Sequence, residues 1–183
     1  MFVKYLLLLI GVVLAFAVPA SAQAVQSVYT DFSGKSCKTI EKDEAAAGYL
    51  LEECRGIAGY KLQVASQDLR QGITVIKPDG SKHDLDMGLI GGGGFSGLGP
   101  RVEWRVKRQQ GKLVPIAIIV RFNVNVGGAE KDTSYLTVTK LTPQKICLID
   151  TIAPGPNANE KARQLADNSA NKPCYNPLGT NGQ

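Results

Sequence analysis

The residues with the strongest claim to chemistry lie between His83 and Gly97, in "HDLDMGLIGGGGFSG". Gly92, Gly94 and Gly97 fall in the G-x-G-x-x-G register of dinucleotide-binding turns. In those turns the glycines let backbone approach a pyrophosphate at a helix N-terminus. That chemistry needs a helix directly after the glycines. Here Pro100 and the alternating "RVEWRVK" follow, which read as a strand, and no lysine-serine or lysine-threonine pair completes a P-loop. Gly91, Gly92, Gly93, Gly94 and Gly97 therefore read as a mobile loop between strands, a place where a ligand or partner can touch.

His83 beside Asp84 and Asp86 raises a metal site or a base with its orienting acid. On a strand, however, His83 and Asp84 point to opposite faces, and His83 shares its parity with Leu85 and Met87. An ordinary hairpin histidine is the expectation. Ser96 in "GFSG" lacks the spacing of a nucleophile elbow. The acidic runs Glu41–Glu44 and Glu52–Glu53 read as solvated charge. A carboxylate hydrolase would need two acids roughly 5–10 Å apart in a cleft, and Glu103 with Asp84 or Asp86 is the pair to test. No catalytic, cofactor-binding or metal-binding residue is assigned, and no cofactor is expected.

Chemistry of another kind comes from Cys37, Cys54, Cys147 and Cys174. The N-terminus "MFVKYLLLLIGVVLAFAVPASA" has a basic residue, an apolar run and a small-x-small site at Ala20–Ala22. It reads as a signal peptide over residues 1–22. The apolar run is short for a membrane span of ~30 Å, so no stable membrane insertion is expected after cleavage. In an exported chain four cysteines read as two disulfides. Three pairings exist, and the sequential one, Cys37–Cys54 with Cys147–Cys174, is favoured because it staples each terminal segment. Each loop closure is worth on the order of 3 kcal/mol. Zinc would need closely spaced ligand pairs, which are missing.

Residues 23–174 suit a single domain, with 44% hydrophobic and 20% charged residues over the whole chain. The formal net charge of +5 includes Lys4 of the leader. This mild basicity favours anionic surfaces. The absence of a basic stripe interleaved with aromatics argues against nucleic acid.

The elements that must position these groups have the period of strands. In "VPIAIIVRFNVNV" Val114, Ile116, Ile118, Val120, Phe122, Val124 and Val126 share one parity, with Arg121, Asn123 and Asn125 on the other. That pattern predicts a half-buried strand with one wet face. In "RVEWRVK" Val102, Trp104 and Val106 point one way and Arg101, Glu103, Arg105 and Lys107 the other. "RQQGK" joins the two as a hairpin. Further strands are expected at "SVYTDF", "CKTIEK", "GYKLQVA", "GITVIK", "KHDLDM", "SYLTVTKL" and "KICLID", with Pro78-Asp79-Gly80 as a turn. A closing helix is expected in "PGPNANEKARQLADNSA", capped by Asn157 with Glu160 completing a capping box. Cys174 would tie its end back to the strand of Cys147, and residues 175–183 would form a disordered tail. The fold class is mainly β: an antiparallel β-sandwich or open barrel with one C-terminal α-helix.

"VYTDF", "CRGIAGY", "DLR", "LGPRVEWR" and "NANEKARQLADNSANKPC", together with Cys37, occur in an order that resembles a loose group of small exported proteobacterial proteins of unknown function. The resemblance implies export and the cysteine framework, and it carries over no activity. The functional expectation is a periplasmic or secreted, non-enzymatic binding module at the cell envelope. Its partner would be an envelope protein or an anionic polymer, docked on Arg101, Glu103, Arg105 and Lys107 beside the glycine loop. An envelope-directed carboxylate hydrolase and an inhibitor of a foreign enzyme such as lysozyme are the alternatives.

Overall fold

The computed structural model describes residues 24–176, so the expected signal peptide and most of the expected tail, residues 177–183, lie outside the described residues. Ten strands form two five-stranded antiparallel sheets. One sheet is a plain meander of β2 (Cys37–Asp43), β3 (Tyr49–Arg55), β4 (Lys61–Gln67), β5 (Arg70–Ile76) and β6 (Lys82–Asp84). The other runs β1 (Gln26–Asp31), β7 (Ser96–Gln109), β8 (Lys112–Val124), β9 (Thr133–Leu141) and β10 (Ile146–Ile152). No strand pairs across from one sheet to the other among the described residues, so the architecture is a sandwich and not an open barrel.

The alternation in β7 and β8 fills the space between the sheets. Val102, Trp104, Val106, Ile118, Val120, Phe122 and Val124 meet Leu62, Ile73 and Val75 of the facing sheet. Trp104 is fully buried, and its indole N–H donates to Thr30 Oγ1 at 2.8 Å. The β7–β8 hairpin turns at Gln110 and Gly111, both with positive φ (48° and 77°), the twist that matches paired strands.

The outer face of the β7–β10 sheet is wet only in part: Arg121 is exposed, as the alternation predicts, but the stretch around Ala117 and Ile119 is covered. Helix α1 (Ala158–Asp167) lies on it, and Ala162 and Ala166, both 0% exposed, pack on Ala117, Ile119, Leu136, Val138 and Ile149. Alanines at the contact let the helix approach closely. The molecule therefore has three layers. The helix starts without the expected capping box: Asn157 is left-handed (φ 60°) and makes no side-chain cap.

Both disulfides join the expected partners. Cys37 and Cys54 are directly opposed on β2 and β3, and Cys147 of β10 holds Cys174 just past the helix. Tyr175 is not part of a loose tail: it packs against the core, and its N–H donates to Leu148 O at 2.7 Å.

The glycine cluster is also not a loose connection. It folds back over one end of the sandwich, with Ile90 2% exposed in a short 3-10 turn. Gly91, Gly92 and Gly93 have φ of 63°, 87° and 77°, a run closed to other residues without strain. A Cβ on Gly94 would stand 2.0 Å from Asn125 O, so the close approach of two backbones demands glycine there. Gly97 lies within β7.

Candidate functional site

The four residues expected to form an open polar face have separate fates. Arg101 is exposed and pairs loosely with Asp31 at 3.7 Å. Arg105 lies under the helix and forms a fork on Asp167, Nε to Oδ1 at 2.7 Å and Nη2 to Oδ2 at 2.8 Å. Glu103 accepts from Arg163 Nε at 2.6 Å and from Ser27 Oγ at 2.5 Å, and Arg163 also donates to Tyr29. Burial alone would raise the Glu103 pKa, but hydrogen bonds from Arg163 and Ser27 and the neighbouring guanidinium charges hold it below its ordinary value. Half of the expected docking surface, Glu103 and Arg105, is thus a helix-to-sheet seam. Arg101 and Lys107 lie outside it, and of these Lys107 lines a cleft.

Lys107 sits where the hairpin departs from regular pairing. Arg105 pairs with Ala117 but Val106 with Pro115, which leaves Ile116 as an extra residue. Proline has no N–H to give the ladder, so a bulge at Pro115 costs little. The bulge reverses the parity of β8: Leu113 packs against the sandwich core, while Val114 and Ile116 turn outward instead of inward as their spacing suggested. An apolar wall is exposed by this single irregularity.

That wall belongs to a cleft of about 430 Å³ at the hairpin end of the sandwich, within the usual ~300–1,000 Å³ of small-molecule sites. Val114, Ile116, Leu141 and Pro143 give it apolar surface, and Lys77, Lys107 and Tyr60 give it donors. The loop after β9, the end of the helix and the turn at Ser169–Asn171 complete the rim. Lys77 Nζ is 3.3 Å from Asp79 Oδ2 and 3.4 Å from Pro143 O. Among the described residues Lys107 has no hydrogen bond or ion pair, although it is half-buried. Burial raises the Tyr60 pKa, with Lys77 opposing and Asp79 assisting, so its hydroxyl stays a neutral donor. Tyr60 leans on Trp104 with ring centroids 6.1 Å apart, which fixes it from behind.

A second concavity, about 640 Å³, lies on the outer face of the β2–β6 sheet over Ala65 and Gly72, with Tyr49, Arg70, Asp84 and Asp86 around it. It is wide and shallow, and its charges are largely satisfied internally. Arg70 pairs with Asp68 and stacks on Phe95, 5.1 Å from the ring centroid. Asp84 accepts from Thr74 Oγ1 at 3.2 Å and from the Asp86 N–H at 2.8 Å. The carboxylates of the hydrolase reading are not brought together: Asp84 and Asp86 belong to this sheet, while Glu103 is under the helix on the other. His83, on the edge strand β6, lies 3.4 Å from Ser81 Oγ. Glu52 and Glu53 are not in a turn but within β3, where Glu53 pairs with Lys61 at 2.7 Å.

No family model, curated protein or solved structure matches this chain.

Proposed function

We propose that the protein is an exported, non-catalytic binding module of the cell envelope, and that the hairpin-end cleft is its ligand seat. The observation that carries this reading is Lys107, a half-buried residue whose side chain has no hydrogen-bond or ion-pair partner among the described residues, at the mouth of an apolar-walled cleft. Its ammonium is therefore free to meet an anionic group, beside apolar surface that a ligand can cover. Two disulfides are compatible with an oxidising compartment, as is the signal-like leader. No helix of the described residues is long and apolar enough to cross a membrane. Docking of a large anionic polymer across β7 has lost its main support, because Glu103 and Arg105 are engaged with the helix.

The test is an NMR titration of the oxidised protein with small-molecule extract of the cell envelope. Shifts confined to Lys107, Val114, Ile116, Leu141 and Thr142 are expected. Shifts confined to Asp84, Asp86 and Gly72 would move the site to the other sheet. An unchanged spectrum would overturn the reading.

A further inference from the structure

We propose that the cleft accepts an amphiphile with one anionic head, a carboxylate or phosphate monoester on an alkyl chain. The head would lie between Lys77 and Lys107 and the chain along Val114, Ile116 and Leu141. This deepens the binding-module reading and rests on it.

The division of the cleft supplies the argument. Two ammonium groups and the Tyr60 hydroxyl face the cleft as donors, beside the Gln109 amide, while the Thr142 and Ser169 hydroxyls already donate to Lys145 O and Ile116 O. The one carboxylate in the lining, Asp167, is gripped by Arg105 at 2.7 and 2.8 Å and forms no ion pair with Lys107. Lys77 has the Pro143 carbonyl at 3.4 Å and one carboxylate, Asp79, whose side chain is 59% exposed. Lys107 thus has no carboxylate partner of its own among the described residues, and its positive charge is left for a ligand. Val114, Ile116, Leu141 and Pro143 offer nothing to a sugar hydroxyl or a peptide amide, but they suit methylene groups.

The experiment compares six probes on the oxidised protein, the amphiphiles below their micellar concentrations: octanoate, decanoate, decyl phosphate, decyltrimethylammonium, decyl maltoside and inorganic phosphate. Decanoate and decyl phosphate should bind and shift the Val114, Ile116 and Leu141 resonances. Affinity should rise about fourfold per methylene from octanoate to decanoate. Lys107→Gln should weaken decanoate about tenfold, the loss of one charge-assisted bond, and leave any weak binding of decyl maltoside unchanged. Val114→Trp, which fills the cleft, should abolish both, with the fold checked by circular dichroism. Sedimentation with vesicles of phosphatidic acid, whose headgroup is a phosphate monoester, would identify a membrane lipid as the source if it is lost in Val114→Trp. Decanoate binding without sedimentation would identify a free amphiphile.

If the cationic or neutral decyl probe binds as tightly as decanoate and Val114→Trp removes it, the cleft stands and the anionic head is wrong. If inorganic phosphate alone matches decyl phosphate, the chain is wrong. If no probe shifts the cleft, the underlying binding-site reading falls as well.

Discussion

The two faces of the β7–β10 sheet are buried by different means. Its inner face buries large side chains, Trp104, Phe122, Ile118 and four valines, with Thr137 and Thr139 among them and no charged group of the described residues. Its outer face buries alanines and short aliphatics, ringed by Arg105–Asp167, Arg163–Glu103 and the Cys147–Cys174 bond. The first interface is specified by volume, the second by named partners. Volume tolerates exchange among similar apolar residues, whereas a paired charge fails when its partner leaves.

This contrast is easiest to break on the inner face. Trp104→Ala should cost about 3–5 kcal/mol, read from urea unfolding by circular dichroism. Opening the outer face covalently, with Cys147→Ser and Cys174→Ser together, should cost about 3 kcal/mol. Its signature is local: amide exchange should accelerate in α1 while β7 and β8 stay protected. Arg105→Met should cost about 2 kcal/mol, less than a deeply buried pair, because the 28%-exposed Asp167 side chain can draw in water. Adding Asp167→Leu should then recover most of that loss, and a failure to recover would show that the seam is not governed by charge pairing.

The smallest effect sharpens the comparison through pH. Glu103 has a folded pKa below its ordinary value, so its contribution is complete above the unfolded value of about 4.3. That contribution drains away as pH falls through the folded value. Stability should therefore decline with acid over that window. Glu103→Gln should flatten the decline, whereas an inner-face variant such as Val120→Ala should leave its slope unchanged.

The inner face was readable in the sequence because strict alternation at Val102–Val106 and Ile118–Val124 has one physical cause, a strand with a core on one side. The disulfide pairing and the Pro78-Asp79-Gly80 turn were readable for equally local reasons. The outer face was not, although Ala117 and Ile119 stood on the supposedly polar parity as a signal. Their burial depends on a helix forty residues away in the chain, which periodicity cannot report. β3 was missed because "YLLEECR" mixes adjacent leucines with adjacent glutamates, a pattern of a strand half-covered on both faces. The cleft was hidden by the bulge at Ile116: a one-residue slip that reversed the assignment of Val114 and Ile116, the residues that make its wall.

β1 has a consequence in time as well as in space. Every other strand pairing joins neighbours in the chain, but β1 must find β7 across a span such as the 74 residues between Thr30 and Trp104. Closing so long a loop is entropically slow, whereas the two meanders grow by short-range hairpins. β1 also carries Ser27 and Tyr29, which complete the hydrogen bonds of Glu103, Arg105 and Arg163. The slowest strand to arrive thus brings the last partners of the seam, so the helix reaches its final seating only when the earliest strand of the sandwich has come home.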